Sequence, residues 1–313
     1  MTDTMKAVRF HNYGGPEVLK VEQAPKPSPG PGQVLVRAHA TSVNPIDWKL
    51  REGMLKAFVP LDLPAITGQD LAGVVAAIGE QVSDVHVGDA VFAMLATNIL
   101  GAYAEYVVLD AAAVAPKPRS LDFVHAAAVP MGALTAWQGI VEAGGLKAGD
   151  HLFVHAAAGN VGGMAVQIAR ALGAHVTGAA SAEARPLVES YGAERFVDYR
   201  AERFEEVVRD QDIIFDTLAG EMQARSWGML RSGGILISTL GIADPKQADA
   251  NGARAEGISC TPNGAQLARV GLMIESGKVR PNVGTVMRIE EAAEAQELSR
   301  AGKANGKIVL TIG

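Results

Sequence analysis

Residues 151–172 read HLFVHAAAGNVGGMAVQIARAL, and this stretch decides the fold. A short apolar run beginning at His151 has strand character. A turn of small residues follows, His155-Ala-Ala-Ala-Gly159-Asn160-Val161-Gly162-Gly163. Then Val161, Ala165, Ile168, Ala169 and Leu172 recur at helical spacing, and Gly173 ends the run. A strand that turns through glycines into a helix presents unpaired backbone N–H groups at the helix start. Those groups suit a phosphate. Gly159 is expected to permit the tight turn. Gly162 is expected to let the helix come close to the sheet and to a pyrophosphate. A glycine turn made only for packing is the bland alternative, and a lone Gly-x-x-Gly would be weak support. The context strengthens it. Apolar runs begin near His151, Ala174, Arg195, Asp212 and Gly234, about 17 to 23 residues apart, with helical stretches between. That rhythm predicts a doubly wound parallel α/β sheet, the Rossmann arrangement.

The second strand of the series ends Gly178-Ala179-Ala180-Ser181. Folds of this kind that bind NAD place Asp or Glu there, on the ribose hydroxyls. No carboxylate comes before Glu183, and Arg185 follows. A guanidinium can hold a 2′-phosphate through two N–H groups, and Ser181 can donate one more bond. This favours NADPH over NADH. The bland alternative is a solvated helix arginine.

Upstream, residues 5–120 read as β-rich. Val34 to Ala38, Leu71 to Ile78, Asp89 to Met94 and Ala102 to Leu109 are the candidate strands, and the proline-rich Pro25 to Gln33 is a loop. Downstream, Ala265 to Ser276 and Glu290 to Arg300 read as helices, and Lys307 to Ile312 as a closing strand.

The chain has 313 residues, enough for about two domains. Its net charge is −6 with no basic block, which argues against nucleic acid as a partner. No apolar run is long enough to span a membrane. MTDTMKAVRF lacks the apolar core of a signal peptide, so a cytoplasmic location is expected. The single cysteine, Cys260, rules out an intrachain disulfide and any multi-cysteine zinc site. His151 and His155 are four apart on a strand, which separates them by about 13 Å, too far for one metal. No metal site is expected. His11, His39, His86, His125 and His175 have no ligand-like neighbours in the sequence and read as surface or satisfied core residues.

Several further stretches resemble the quinone oxidoreductases among the medium-chain dehydrogenases/reductases. Thr41-Ser-Val-Asn44-Pro-Ile-Asp47-Trp48-Lys49 resembles their SVNPxD segment. Gly68-Gln-Asp70-Leu-Ala-Gly73-Val-Val resembles GxDxAGxV. Val129-Pro-Met-Gly-Ala-Leu-Thr135-Ala resembles their PxxxLTA helix. The glycine turn and the closing Gly306-Lys307-Ile-Val-Leu also match, in family order, across essentially the whole chain.

The resemblance implies a GroES-like β-rich catalytic domain from residues 1–120 and 258–313, and a Rossmann NADPH-binding domain from 121–257. Zinc-bearing relatives carry a cysteine near Asn44 and Gly-His-Glu near Gly68, so this chain resembles the zinc-free branch. By position, Gly159, Asn160, Val161 and Gly162 would hold the pyrophosphate. Ser181, Arg185 and Tyr199 would surround the 2′-phosphate. Thr135, Leu240, Gly241 and Lys307 would lie near the nicotinamide or its ribose. Asn44 and Asp47 would line the catalytic site. Asn44 would act as an oxyanion donor, and Asp47 would orient neighbours or cap the following turn. Lys49 could donate a hydrogen bond or a proton, or simply be solvated. Many quinone reductases carry a tyrosine shortly after NPxD. Here Trp48-Lys49 stands instead, a pair similar to the chloroplast-envelope branch, which tilts the expected substrate from quinones toward α,β-unsaturated ketones. A homodimer is usual in such a family. Two alternatives remain, a zinc-type alcohol dehydrogenase or enoyl-thioester reductase on the same fold, and a non-catalytic NADPH-binding protein.

Overall fold

A computed structural model describes residues 3–97 and 101–313. The chain divides into two compact units. One comprises Met1–Met131, Thr261–Glu275 and Pro281–Gly313, and the other Gly132–Cys260 and Ser276–Arg280.

The first unit opens with β1 (Thr4–Phe10), β2 (Lys20–Pro25) and β3 (Gln33–Ser42), then the short helix α1 (Pro45–Arg51). Next come β4 (Ala65–Ile66), β5 (Asp70–Ile78), β6 (Ala90–Met94), β7 (Tyr106–Asp110), β8 (Val114–Pro116) and α2 (Phe123–Ala127). Helix α3 (Pro130–Ala136) leads into the second unit and continues as π-helical turns to Ala143.

The second unit contains β9 (His151–Val154), α4 (Asn160–Ala171), β10 (His175–Ala180), α5 (Arg185–Ser190), β11 (Arg195–Asp198) and α6 (Phe204–Val207). It continues with β12 (Gln211–Asp216), α7 (Gly220–Ser226), β13 (Leu230–Ser238), α8 (Lys246–Ala250) and β14 (Arg254–Gly257). Its strands lie in the order β11-β10-β9-β12-β13-β14, all parallel. Parallel strands are covered on both faces, which is why their sequences read as continuous apolar runs. Phe153, Val197, Phe204, Ile214, Trp227 and Leu236 form one buried cluster.

The chain then returns to the first unit through α9 (Gly264–Glu275), β15 (Val283–Arg288), α10 (Ala292–Arg300) and β16 (Lys307–Thr311). β16 pairs antiparallel with β3, Leu310 opposite Thr41. The resulting sheet runs β15-β16-β3-β5-β6-β8, with β7 also on β3, and a second sheet runs β2-β1-β4. Val34, Val36, Leu71, Val75, Val107, Ile308 and Leu310 fill its core.

Three expectations are corrected. The helix whose apolar residues recur from Val161 to Leu172 is α4, and Met164 to Ala169 are all buried, so it is enclosed nearly all round instead of showing one stripe. Strand β15 was not expected. Its alternating burial puts Gly284 and Val286 on the exposed side, so it lacks the apolar run that marks the other strands. His175 is not isolated. It stacks on His151 at 5.0 Å and bonds Glu194 at 2.8 Å, because β9 and β10 are neighbours. No helix among the described residues is long and apolar enough to cross a membrane.

Candidate functional site

In the second unit the turn after β9 is the candidate pyrophosphate site, and it is not built as its glycines suggest. Gly159 has an ordinary φ of −72°. The left-handed residue is Ala156, at φ 48°. Gly162 is required for contact. A Cβ there would lie 2.3 Å from the Ala156 carbonyl oxygen, so only glycine lets the helix start press on the turn. Gly132 of α3 does the same against the Asn160 side chain, which would lie 2.2 Å from an added Cβ. Gly159 caps the twelve-residue α4 with no side-chain hydrogen bond. The N–H groups of Asn160, Val161 and Gly162 therefore point out of the first turn without a cap, and a dinucleotide pyrophosphate fits them. Thr135, on α3, is buried.

The ends of β10 and β11 lie side by side, with Ala180 opposite Asp198. Ser181, Tyr199 and Arg200 follow directly. The Tyr199 N–H donates to the Ala180 carbonyl at 3.3 Å. The Arg200 guanidinium lies 5.6 Å from the Tyr199 ring centre and 3.6 Å from Glu183. The Ser181 hydroxyl bonds Glu183 and, with Arg200, holds that carboxyl below its usual range. Arg200 escaped the sequence reading. The candidate named there, Arg185, begins α5, stacks over Phe196 at 4.4 Å and reaches Glu189 at 3.5 Å. Ser181 and Tyr199 are thus brought together with Arg200, while the Arg185 head group lies between Phe196 of β11 and Glu189 of its own helix. Leu240 and Gly241 sit on the loop after β13, Leu240 exposed and Gly241 at φ 86°.

In the first unit a buried polar cluster gathers residues far apart in sequence. Lys307, at the start of β16, is 5% exposed. Its ammonium bonds the Asn44 side-chain oxygen and lies 3.3 Å from Asp70 Oδ2. Asn44 Nδ2 donates to the same Asp70 oxygen at 2.8 Å, and the Ser42 hydroxyl does so at 2.6 Å. The Met131 N–H donates to Asp70 Oδ1 at 2.7 Å. Asp70 is therefore satisfied on both oxygens, and it fixes which way the Asn44 amide faces. An amide nitrogen carries two hydrogens and an ammonium three. Among the described residues, one Asn44 N–H and one Lys307 N–H stay uncommitted.

Asp47 is fully buried on α1, three residues after Asn44. It accepts from Asn44 N at 2.8 Å, Tyr103 Oη at 3.1 Å and Gly68 N at 3.2 Å. Burial pushes its carboxyl up to about 7, against the pull of these donors and of Lys307. Asp47 reaches back to the residue that precedes its helix, so it ties the Asn44 backbone to Gly68. Lys49 stands outside the cluster, half-buried, its Nζ 5.5 Å from the Trp48 ring centre. Asp70 and Tyr103 were not singled out from sequence, although Asp70 lies in a quoted motif.

The donors here do not fit zinc. They are an amide, an ammonium and a carboxylate already shared between them, and among the described residues no three His, Cys, Asp or Glu side chains converge on a metal position.

Residues 30–119 match the alcohol dehydrogenase GroES-like domain, and residues 191–310 match a zinc-binding dehydrogenase family. An NADPH-dependent alkenal/one oxidoreductase of Arabidopsis thaliana is 34% identical over 98% of this chain and 79% of its own length. A quinone oxidoreductase of Sus scrofa is 33% identical over 98% of both chains. The solved quinone oxidoreductase of Coxiella burnetii superposes with a TM-score of 0.90 at 31% identity, over 99% of this chain and 100% of that one. With relatives this similar along almost its full length, the chain belongs to the quinone oxidoreductase family of medium-chain dehydrogenases/reductases and is an NAD(P)-dependent oxidoreductase.

Proposed function

We propose that this chain reduces conjugated enones, and quinones as a second class, with NADPH and without a metal. The observation that carries the reading is the Asn44–Lys307–Asp70 cluster, a buried, pre-oriented set of hydrogen-bond donors with no metal-binding donor set beside it. When bound, NADPH supplies the hydride. An enone or quinone that receives it becomes an enolate or hydroquinone anion whose charge is spread over oxygen and carbon. Such an anion needs donors aimed at oxygen rather than a strong Lewis acid. Asn44 and Lys307 each have an N–H left for that oxygen. Asp70 holds the amide in place, and Asp47 holds the helix start that carries it. A simple aldehyde gains less from such donors and is expected to react poorly.

For the cofactor, Asn160, Val161 and Gly162 cradle the pyrophosphate, and Ser181, Tyr199 and Arg200 take the 2′-phosphate, with Arg185 secondary. Thr135, Leu240 and Gly241 serve the nicotinamide half. The protein acts as a cytoplasmic homodimer on this reading. The lone thiol fits a reducing compartment, and β14 is an edge strand to which a second copy can add.

The test is NADPH oxidation with a medium-chain enone, a small quinone and an aldehyde in parallel, after dialysis against a chelator. Enone turnover should exceed aldehyde turnover, and NADPH should bind about ten- to a hundredfold more tightly than NADH, the worth of one or two charge-assisted bonds. Arg200→Ala should erase most of that preference, and Arg185→Ala little of it. Efficient aldehyde reduction with neither of the others turned over would overturn the reading.

A further inference from the structure

Asp216 is a buried carboxylate whose hydrogen bonds, among the described residues, come from neutral donors, with His155 close enough to interact with it electrostatically. It ends β12 and is fully buried. Its Oδ1 accepts the N–H groups of Leu218 at 2.9 Å and Ala219 at 3.0 Å. Its Oδ2 accepts from the Ser238 hydroxyl and from Gln223 Nε2, each at 2.9 Å. A buried charge held only by neutral donors is costly, so the site is expected to serve geometry.

Gln223, on α7, is 1% exposed. Besides Asp216, its Nε2 donates to the Gly241 carbonyl at 2.9 Å, and its Oε1 accepts the Ala243 N–H at 2.9 Å. The Leu240 N–H donates to the Ser238 hydroxyl at 3.2 Å. These bonds tie two loops together, 217–219 after β12 and 239–243 after β13. Apolar anchoring of these loops is slight, since Leu218 is 48% and Leu240 55% exposed and Ile242 alone packs, partly buried, on the unit's core. Ala219 is also held at φ 58°, ψ −162°, a conformation that residues other than glycine avoid. The polar tether keeps it there.

The placement of these loops gives the tether a purpose. β9 lies between β10 and β12, and the chain runs outward from it in both directions, which marks the switch point of the sheet. Dinucleotides cross such a sheet at the carboxyl ends of its strands, over that point. If the 2′-phosphate end lies over β10 and β11, the nicotinamide half lies over β12 and β13. The outer side of Gly241 is open, with nothing within 4 Å of an added Cβ. We propose that Gln223, seated on Asp216, is a positioning residue that sets the Leu240–Gly241 loop for the nicotinamide half of the cofactor. The proposal rests on the NADPH reading above.

The test uses the full chain carrying Gln223→Met, which keeps side-chain length and removes the donors and the acceptor. NADPH and 2′,5′-ADP are titrated separately, and amide hydrogen exchange is followed at residues 239–243. The variant should bind NADPH about tenfold more weakly, the worth of one well-made hydrogen bond, while 2′,5′-ADP affinity stays within about twofold. Exchange at Ala243 should speed up by about tenfold or more once its acceptor is gone. Ser238→Ala, which removes a single hydroxyl, should shift NADPH affinity and Leu240 exchange in the same direction by less, and it serves if the first variant does not fold. Unchanged NADPH affinity in either folded variant would overturn the proposal. So would an equal loss for both ligands, which would mean general loosening. Failure of the wild type to bind 2′,5′-ADP would instead strike the NADPH reading.

Discussion

At the residue scale, Asp47 sets the sharpest expectation. Its carboxyl accepts three hydrogen bonds, yet burial raises it to about 7, with a smaller push from Asp70. An acid whose folded value lies above its unfolded value, near 4, keeps its proton longer in the folded state. Its contribution to stability is therefore full at low pH and declines as pH rises from about 4 to about 7. Asp47→Asn carries no titrating group. Urea unfolding from pH 5 to pH 8 should show the stability of the wild type relative to the variant falling with pH, by on the order of 2–4 kcal/mol. A difference that stays flat from pH 5 to pH 8 would mean that the three donors offset burial and that Asp47 is an ordinary carboxylate, ionised throughout. The motif predicts that Asn44 and Asp47 matter. It does not reveal that Lys307, 263 positions away, bonds Asn44, because only the β16–β3 pairing brings them together.

At the element scale, Gly162, in the first turn of α4, makes the closest approach of any glycine in the second unit to backbone. Gly162→Ala would drive a methyl into the Ala156 carbonyl, which is backbone and cannot swing aside. The strand–turn–helix must open, at a cost of about 1–3 kcal/mol, typical of overpacking. Thermal unfolding should report that loss, and NADPH affinity should fall with it. A variant with wild-type stability and affinity would show that the junction tolerates movement. The same element explains why the fold was legible in sequence. Its parallel strands are apolar on both faces and evenly spaced, so strand, glycine turn and helix stand out. β15 did not, because a half-exposed strand with Gly284 and Thr285 at its centre lacks that signature. The 2′-phosphate residues were legible only in part. Ser181 lies at a strand end where spacing places it, and Tyr199 followed from the family resemblance, but the choice between Arg185 and Arg200 depends on where each guanidinium turns. Phe196 of β11 and Glu189 of α5 engage one, and Tyr199 and Glu183 hold the other at the ends of β10 and β11.

At the scale of the whole molecule, the chemistry is divided between two units. One carries the turn proposed for the pyrophosphate and the tethered loops after β12 and β13, and the other carries the amide and ammonium proposed to face the reacting oxygen. The central claim is that hydride goes to the carbon β to a carbonyl, with hydrogen-bond donors rather than a metal steadying the anion. The most direct measurement incubates the chelator-dialysed protein with NADPH bearing deuterium at the transferred position and an acyclic enone, then locates the label by NMR. The account predicts a saturated ketone with deuterium on the β-carbon and a rate unchanged by chelation. Deuterium on the carbinol carbon of an allylic alcohol, or activity lost on chelation and restored by zinc, would contradict it.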